Sequence, residues 1–479
     1  MAAHRWLYEA LRREILEGRL RPGAQLPSSR NLAATYGLSR GTIVNAFEQL
    51  KSEGYLEGSL GSGTYVSRIL PDDLLQVASG KIEESTRASK IPRRLLSNYA
   101  RRAQLFPNFE NRRSRAFRAN LPALNLFPTT LWAQLTARLF RRAPASLLMA
   151  CEPLGYRPLR EALADYLQTS RGVRCVPEQV AIVSGTQEAL DLTIRLFLNP
   201  GDSVCMENPG YPGAAFAFAA LGAKISWIPV DNEGMKPTAA ALKGARLIYA
   251  TPGHQFPLGI MMSVARRLEL LERARGVKAL IFEDDYDSEY RYSGRPIPAL
   301  QGLDRNGLVL FAGSFSKVMF PSLRLGYMVI PADLVDRFAA TISITCRHAP
   351  LLEQALLCDF ITQGHFVRHL RRMREVYAER LSVLVESGRQ KLFGLLEIST
   401  IEAGLQTVGW LKQGLTEEGV FKAAAQRNVE VIPLSWYTRG RPTREGLQLG
   451  FAAVDTREIC RGVAELAIAL EAEAKNTHS

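Results

Sequence analysis

The 479-residue sequence contains only six cysteines and six histidines. The cysteines (Cys151, Cys175, Cys205, Cys346, Cys358 and Cys460) are scattered, with no C-x-x-C pair and no histidine cluster at metal spacing. Neither a disulfide framework nor a metal site is therefore expected. No apolar run is long enough to span a bilayer, and the opening Met-Ala-Ala-His-Arg-Trp is charged where a secretory signal is apolar. A cytoplasmic chain without a membrane partner is the expectation. Internal repeats and low-complexity tracts are also absent. What is present suits a folded protein, with 47% hydrophobic and 22% charged residues. Lys and Arg number 60 against 47 Asp and Glu, and the net charge of +13 favours a polyanionic partner without specifying one. The length calls for two or three units, each with its own core.

Near the amino terminus, Leu7, Leu11 and Ile15 lie four apart on one helical face, and Gly18 and Pro22-Gly23 end that helix. A short second helix follows Pro27-Ser28-Ser29 and stops at Gly37. Ser39 caps a third, whose apolar face is Ile43, Phe47 and Leu50 and whose first turn displays Arg40, Gly41 and Thr42. Two β-like runs, Tyr55 to Glu57 and Thr64 to Ser67, are joined by Gly58-Ser59-Leu60-Gly61-Ser62-Gly63 as a hairpin. In order and composition, Leu26-Pro27-Ser28-Ser29-Arg30, Ser39-Arg40-Gly41-Thr42 and Gly61 to Val66 closely resemble the GntR-type winged helix-turn-helix. The resemblance implies a double-stranded DNA operator as partner. It places Ser28 and Arg30 on phosphates, Arg40 and Thr42, behind the Ser39 cap, in the major groove, and Gly63 and Thr64 on the wing. Arg40 is the best candidate for reading a base edge.

From about Arg68 to Phe117 periodicity is weak and basic residues accumulate (Lys81, Arg87, Lys90, Arg93, Arg94, Arg101, Arg102, Arg112, Arg113, Arg115), the pattern of a linker. The expected organisation is a DNA-binding domain over 1–68, a basic linker over 69–117 and an α/β domain over 118–479. In the last of these, strand-like and helix-like segments alternate. Gln179 to Ser184 reads as a strand, Gly185-Thr186-Gln187 as a turn, and Glu188 to Leu198 as a helix, and backbone N–H groups at such a helix start suit an anion. A strand at Ala279 to Phe282 delivers Glu283-Asp284-Asp285-Tyr286, and one at Val309 to Phe311 delivers Gly313-Ser314-Phe315-Ser316-Lys317, with Arg324 seven residues on. Strand ends are where open α/β sheets place ligands.

A phosphorylated aldehyde cofactor needs an amine to hold it as a Schiff base, a carboxylate at its ring nitrogen, a phenol at its ring oxygen and a phosphate cup. Lys317 is the amine, Asp284 the carboxylate and Tyr286 the phenol, while Gly185, Thr186, Gln187, Ser314, Ser316 and Arg324 make the cup. With Glu207 to Tyr211 and Thr251-Pro252-Gly253-His254-Gln255-Phe256-Pro257 between them, these motifs strongly resemble the fold-type I aminotransferases, and the His-Gln-Phe-Pro and Glu-Asp-Asp-Tyr-Asp-Ser-Glu versions resemble the MocR regulators. The resemblance implies pyridoxal 5'-phosphate as cofactor, Tyr211 against its ring, His254 or Gln255 near its ring oxygen, and a head-to-tail homodimer. It departs at one point: where aminotransferases carry an arginine for the substrate carboxylate, two residues before a Gly-Phe pair, this chain has Gln448. Gly213 likewise stands where the GABA-responsive relative has an arginine. Arg439, Arg441 and Arg444 are upstream candidates to replace the clamp. The implied function is a transcription regulator that senses an amine, an amino acid or the cofactor itself, rather than an enzyme, with residual transaminase turnover left open. The alternative is a working aminotransferase carrying a DNA-binding module.

Overall fold

The computed structural model describes residues 3–59, 63–70, 94–105, 114–142, 144–293, 297–442 and 444–477. Leu60, Gly61 and Ser62 of the expected wing turn, and Lys81, Arg87, Lys90, Arg93, Arg112 and Arg113 of the expected linker, lie outside the described residues. The chain divides into two compact units, Met1–Leu95 and Leu96–Ser479.

The first unit contains helices α1 (Ala3–Leu16), α2 (Ser29–Tyr36) and α3 (Arg40–Ser52) and strands β1 (Gln25–Leu26), β2 (Leu56–Ser59) and β3 (Gly63–Val66). Leu7, Leu11 and Ile15 of α1 bury against Ile43, Phe47 and Leu50 of α3 and Leu26, Leu56 and Val66 of the sheet. At about 1.5–3 kcal/mol per large apolar side chain, this cluster is the main force holding so small a unit together. Gly37 ends α2 in the left-handed region, at φ 65°. The hairpin spans 56–59 and 63–66, within one or two residues of the expected bounds, and β1 adds a third antiparallel strand against β3.

The second unit is built on an eight-stranded sheet. Its strands are β4 (Val180–Val183), β5 (Ser203–Asn208), β6 (Lys224–Asp231), β7 (Gly234–Met235), β8 (Ala245–Ala250), β9 (Leu280–Asp285), β10 (Val309–Ser314) and β11 (Gly326–Val329), in the order β4-β11-β10-β9-β8-β5-β6-β7. Pairings from β10 through β6 are parallel, while β11 runs antiparallel to both β10 and β4. Successive residues serve opposite layers: Val204 and Met206 pack under the 186–197 helix, and Cys205 under the 264–277 helix. A sheet covered on both faces explains strands that read as continuous apolar runs. A second, four-stranded antiparallel sheet, β12 (Leu396–Ile398), β13 (Gln406–Leu411), β15 (Gly446–Gly450) and β14 (Ile432–Pro433) in that order, shares a core with the long helices His365–Lys391 and Thr456–Thr477. The later part of the expected linker packs with this unit: Arg102 donates to the Leu221 carbonyl at 3.2 Å, and the fully buried Ala116 and Phe117 bridge to Val429 and Gly450. Phe117 is apolar among basic neighbours, which is why it leaves the solvent they prefer.

Candidate functional site

In the first unit Ser28 and Ser39 are helix caps. The Ser28 hydroxyl accepts from the Asn31 N–H at 3.3 Å, and the Ser39 hydroxyl accepts from the Thr42 N–H at 3.1 Å and lies 2.8 Å from the Thr42 hydroxyl. These caps hold the starts of α2 and α3, where Arg30 and Arg40 project exposed side chains. Gly63, at φ 111°, and Thr64 stand on the wing, Thr64 opposite Gly58. A rigid helix start with exposed guanidinium groups suits phosphate and groove contact.

In the second unit the parallel strands bring their carboxyl ends to one edge of the sheet, and the motifs follow those ends. Strand alternation sorts the acidic run of β9. Glu283 accepts from the Leu300 and Gln301 N–H groups at 2.8 Å each, and Asp285 takes Arg171 at 2.7 and 2.9 Å, so both serve the scaffold. Asp284, between them, faces the other way. Its Oδ2 accepts from the Tyr249 hydroxyl at 2.6 Å, while its Oδ1 is buried with no partner among the described residues. Burial pushes this carboxyl up to about 7, with the neighbouring Asp285 and Asp287 charges adding to the rise and the Tyr249 and Thr186 hydroxyls opposing it.

Lys317 sits on a single helical turn, Phe315–Val318, directly after β10. Its Nζ donates to the Asn120 carbonyl at 2.6 Å. Burial brings the amine down to about 8 against the pull of Asp287 and Asp284, so the neutral form is far more accessible near neutral pH than in an ordinary lysine, although the cation still predominates. Tyr286 is half-buried, and its hydroxyl lies 3.0 Å from His254 Nδ1, which is also 2.8 Å from Asp287 Oδ1. His254 Nε2 is buried without a partner among the described residues. Gly404 and Gly259 lie against the imidazole, and a Cβ at Gly404 would come within 2.0 Å of it. Tyr211 stacks on Tyr249 at 6.4 Å and meets Phe256 edge-on at 5.7 Å.

Gly185, at φ 138°, begins the 186–197 helix. Gln187 donates to the Gly213 carbonyl at 3.0 Å and receives the Tyr211 hydroxyl at 3.4 Å. Ser314 caps the Lys317 turn, accepting from the Ser316 N–H at 3.2 Å. Arg324 is exposed in a left-handed conformation, φ 51°, close enough that its charge counteracts the rise in the Tyr211 hydroxyl. Gln255 is held by the backbone: its amide donates to the Pro209 and Phe256 carbonyls at 2.8 and 2.6 Å and its oxygen accepts from the Leu258 N–H at 3.1 Å. Of the candidate clamps, Arg439 and Arg441 are exposed, and Arg444 bonds Glu397 at 2.8 Å. Asn120, Tyr249, Asp287, Gln406 and Tyr437 belong to this neighbourhood and were not singled out by sequence. Asn120 acts through its backbone carbonyl, which leaves no residue-type signal, whereas Tyr249 lies two residues before the Thr251 motif at a strand end.

Residues 4–66 match the family model described as bacterial regulatory proteins, gntR family, and residues 132–466 match aminotransferase class I and II. The chain is 40% identical to the probable rhizopine catabolism regulatory protein MocR of Rhizobium meliloti, over 97% of this chain and 92% of that protein. It is 30% identical to the pyridoxine biosynthesis transcriptional regulator PdxR of Corynebacterium glutamicum, over 97% and 95%. Among solved structures, the α-aminoadipate aminotransferase LysN of Thermus thermophilus superposes with a TM-score of 0.72 at 29% identity, covering 80% of this chain and 98% of that one. With a winged helix, an aminotransferase-fold unit and regulators similar to it along nearly its full length, the chain belongs to the MocR-type transcription regulators of the GntR family.

Proposed function

We propose that this protein is a pyridoxal-phosphate-dependent transcription regulator whose second unit senses an amine, an amino acid or the cofactor itself and alters how the winged helix engages an operator. The observation that carries this reading is the buried, unpartnered Oδ1 of Asp284 in the same pocket as the half-buried Lys317 amine. A buried acceptor without a donor is costly, about 1–3 kcal/mol, and a protonated ring nitrogen is a donor that would relieve it. Lys317 would hold the cofactor, Asp284 its ring nitrogen, Tyr286 and His254 its ring oxygen, and Tyr211 its face. Gly185, Thr186, Gln187, Ser314, Ser316 and Arg324 would form the phosphate cup, while Gln255 keeps the pocket wall in place. When bound, the cofactor supplies an aldehyde that condenses reversibly with amines.

On the DNA side, Ser28 and Arg30 grip phosphate, Arg40 and Thr42 behind the Ser39 cap enter the major groove, and Gly63 and Thr64 carry the wing. The domain assignment is a DNA-binding module over 1–68, a connecting segment over 69–117 and the sensing domain over 118–479, acting as a cytoplasmic head-to-tail homodimer. Regulation requires the effector to favour one arrangement of the molecule over another by about 1–3 kcal/mol. A transaminase reading draws support from the 30% identity to the 2-aminoadipate transaminase of Thermus thermophilus, over 74% of this chain. The neutral Gln448 at the clamp position weighs against it for α-amino acids.

The experiment is binding of the full chain to the DNA upstream of its own gene, with and without pyridoxal phosphate, for wild type and Lys317→Ala. Specific binding at physiological salt, altered by the cofactor only when Lys317 is present, is the expected result. Absence of specific binding in every state would overturn the regulator reading.

A further inference from the structure

Two buried carboxamides in the second unit have an amide nitrogen without a partner among the described residues, Gln406 and Gln448. Both are fully or almost fully buried, Gln406 at 1% exposure and Gln448 at 0%. They are neighbours. Gln406 pairs with Gly450 and Val408 with Gln448 across β13 and β15, so alternation puts the two side chains on one face, diagonally about 7–8 Å apart.

Each is tied to the Lys317 pocket from a different side. Gln406 Oε1 accepts from the Asn120 N–H at 2.8 Å, and the Asn120 carbonyl receives Lys317 Nζ at 2.6 Å. A backbone N–H can only donate, so this bond settles which end of the Gln406 amide is left over. Gln448 Oε1 accepts from the Tyr437 hydroxyl at 2.9 Å. The Tyr437 ring meets Phe256 edge-on at 5.0 Å, and Phe256 in turn contacts Tyr286 and Tyr211 at 6.0 and 5.7 Å.

Neither amide has a cationic side chain as a partner among the described residues, and buried carboxyls stand in the neighbourhood. Asp284 and Asp287 are buried beside Lys317, and Glu207 is buried behind Gln255. The nearby arginines do not compensate: Arg439 and Arg441 are exposed, and Arg444 is exposed, bonded to Glu397 and stacked over Trp410 at 5.2 Å. A carboxylate brought here would lose its water for two neutral donors. A hydroxyl, ether or amide carbonyl would lose much less and would satisfy donors that otherwise stay unmatched.

We propose that Gln448 and Gln406 form an uncharged donor subsite that selects an effector amine whose second polar group is a neutral acceptor and discriminates against α-amino carboxylates. This deepens the cofactor-dependent sensing reading and rests on it. Gln448 is then the specificity-determining residue, and Tyr437 and Asn120 are positioning residues that orient the two amides.

The test uses the full chain freed of cofactor and two stable probes that differ only in the group at issue, N-(5'-phosphopyridoxyl)-L-alaninol and N-(5'-phosphopyridoxyl)-L-alanine. Affinities are measured by calorimetry, with pyridoxal phosphate as the reference for the cofactor pocket. Wild type should bind the alaninol adduct about tenfold or more tightly than the alanine adduct, and Gln448→Arg should reverse the order. Gln448→Met, which keeps the length and removes both the amide donor and the oxygen that holds the Tyr437 hydroxyl, should erase most of the preference and decides the matter if the arginine variant does not fold. Equal or tighter binding of the alanine adduct by wild type, or a preference unmoved in both variants, overturns the proposal. If pyridoxal phosphate and both adducts all fail to bind, the cofactor reading itself falls, and this inference falls with it.

Discussion

Asp284 has opposite consequences with and without a cation beside it. In the cofactor-free fold its carboxyl is pushed up to about 7 by burial, whereas an unfolded aspartate titrates near 4. Between those values the folded chain binds more protons than the unfolded one, so stability falls as pH rises from about 4 to about 7. Glu207 and Glu283, also raised to about 7 by burial, act in the same direction. Lys317 acts oppositely at higher pH: lowered to about 8 from an ordinary value of 10.5, it contributes stability that grows through that interval. Thermal midpoints of the cofactor-free protein should therefore fall between pH 5 and 7.5, and the fall should be smaller in Asp284→Asn. The same variant should bind pyridoxal phosphate roughly ten- to a hundredfold more weakly, as expected for losing a hydrogen bond between charged groups. Equal affinity for the two proteins, measured by cofactor absorbance titration, would show that the orphan oxygen does not receive the ring nitrogen.

At the scale of elements, helix starts and close glycine contacts set the geometry. Ser39 satisfies the Thr42 N–H at the start of α3, and Ser39→Ala should cost that helix about 1 kcal/mol, seen as faster amide exchange in its first turn and weaker DNA binding. Gly213 lies under the Tyr211 ring, and a Cβ there would come within 2.5 Å of ring atoms. Gly213→Arg should therefore displace Tyr211 at a cost of about 1–3 kcal/mol and weaken cofactor binding. Unchanged tyrosine fluorescence and affinity in that variant would show that the ring has room to move. The two arginine departures noted in the sequence differ in their surroundings: a Cβ at Gly213 would meet the Tyr211 ring, whereas Gln448 is a buried residue of β15 whose Oε1 is held by the Tyr437 hydroxyl.

Across the whole molecule, the net charge of +13 and the exposed guanidinium groups of α2 and α3 predict strongly salt-dependent operator binding. Arg30→Ala should weaken all sequences alike and reduce the slope of log affinity against log salt by about one, whereas Arg40→Ala should also relax preference at one base pair. Fluorescence anisotropy on matched and single-substituted duplexes across a salt series separates these outcomes. Identical behaviour of the two variants would remove Arg40 from base reading.

The three amino-terminal helices, their caps and the strands carrying the Asp284 and Lys317 motifs were legible in the chain alone, because each is written in local periodicity and capping chemistry. The antiparallel strand β11, which lies between β4 and β10, was not legible, since strand pairing is a long-range choice that leaves no local mark. Alternation along β9 could have separated Asp284 from Asp285, but only the fold shows Arg171 taking one and leaving the other an unpartnered oxygen. The sequence by itself determined which chemical groups this protein carries and in what order. Tertiary structure decided which of them meet: Asn120 reaches Lys317, Gln406 reaches Asn120, and Tyr437 reaches Gln448, the first two across separations that no spacing rule spans. Those contacts arise because burial desolvates polar groups and forces each to find whatever partner the packed layers bring near.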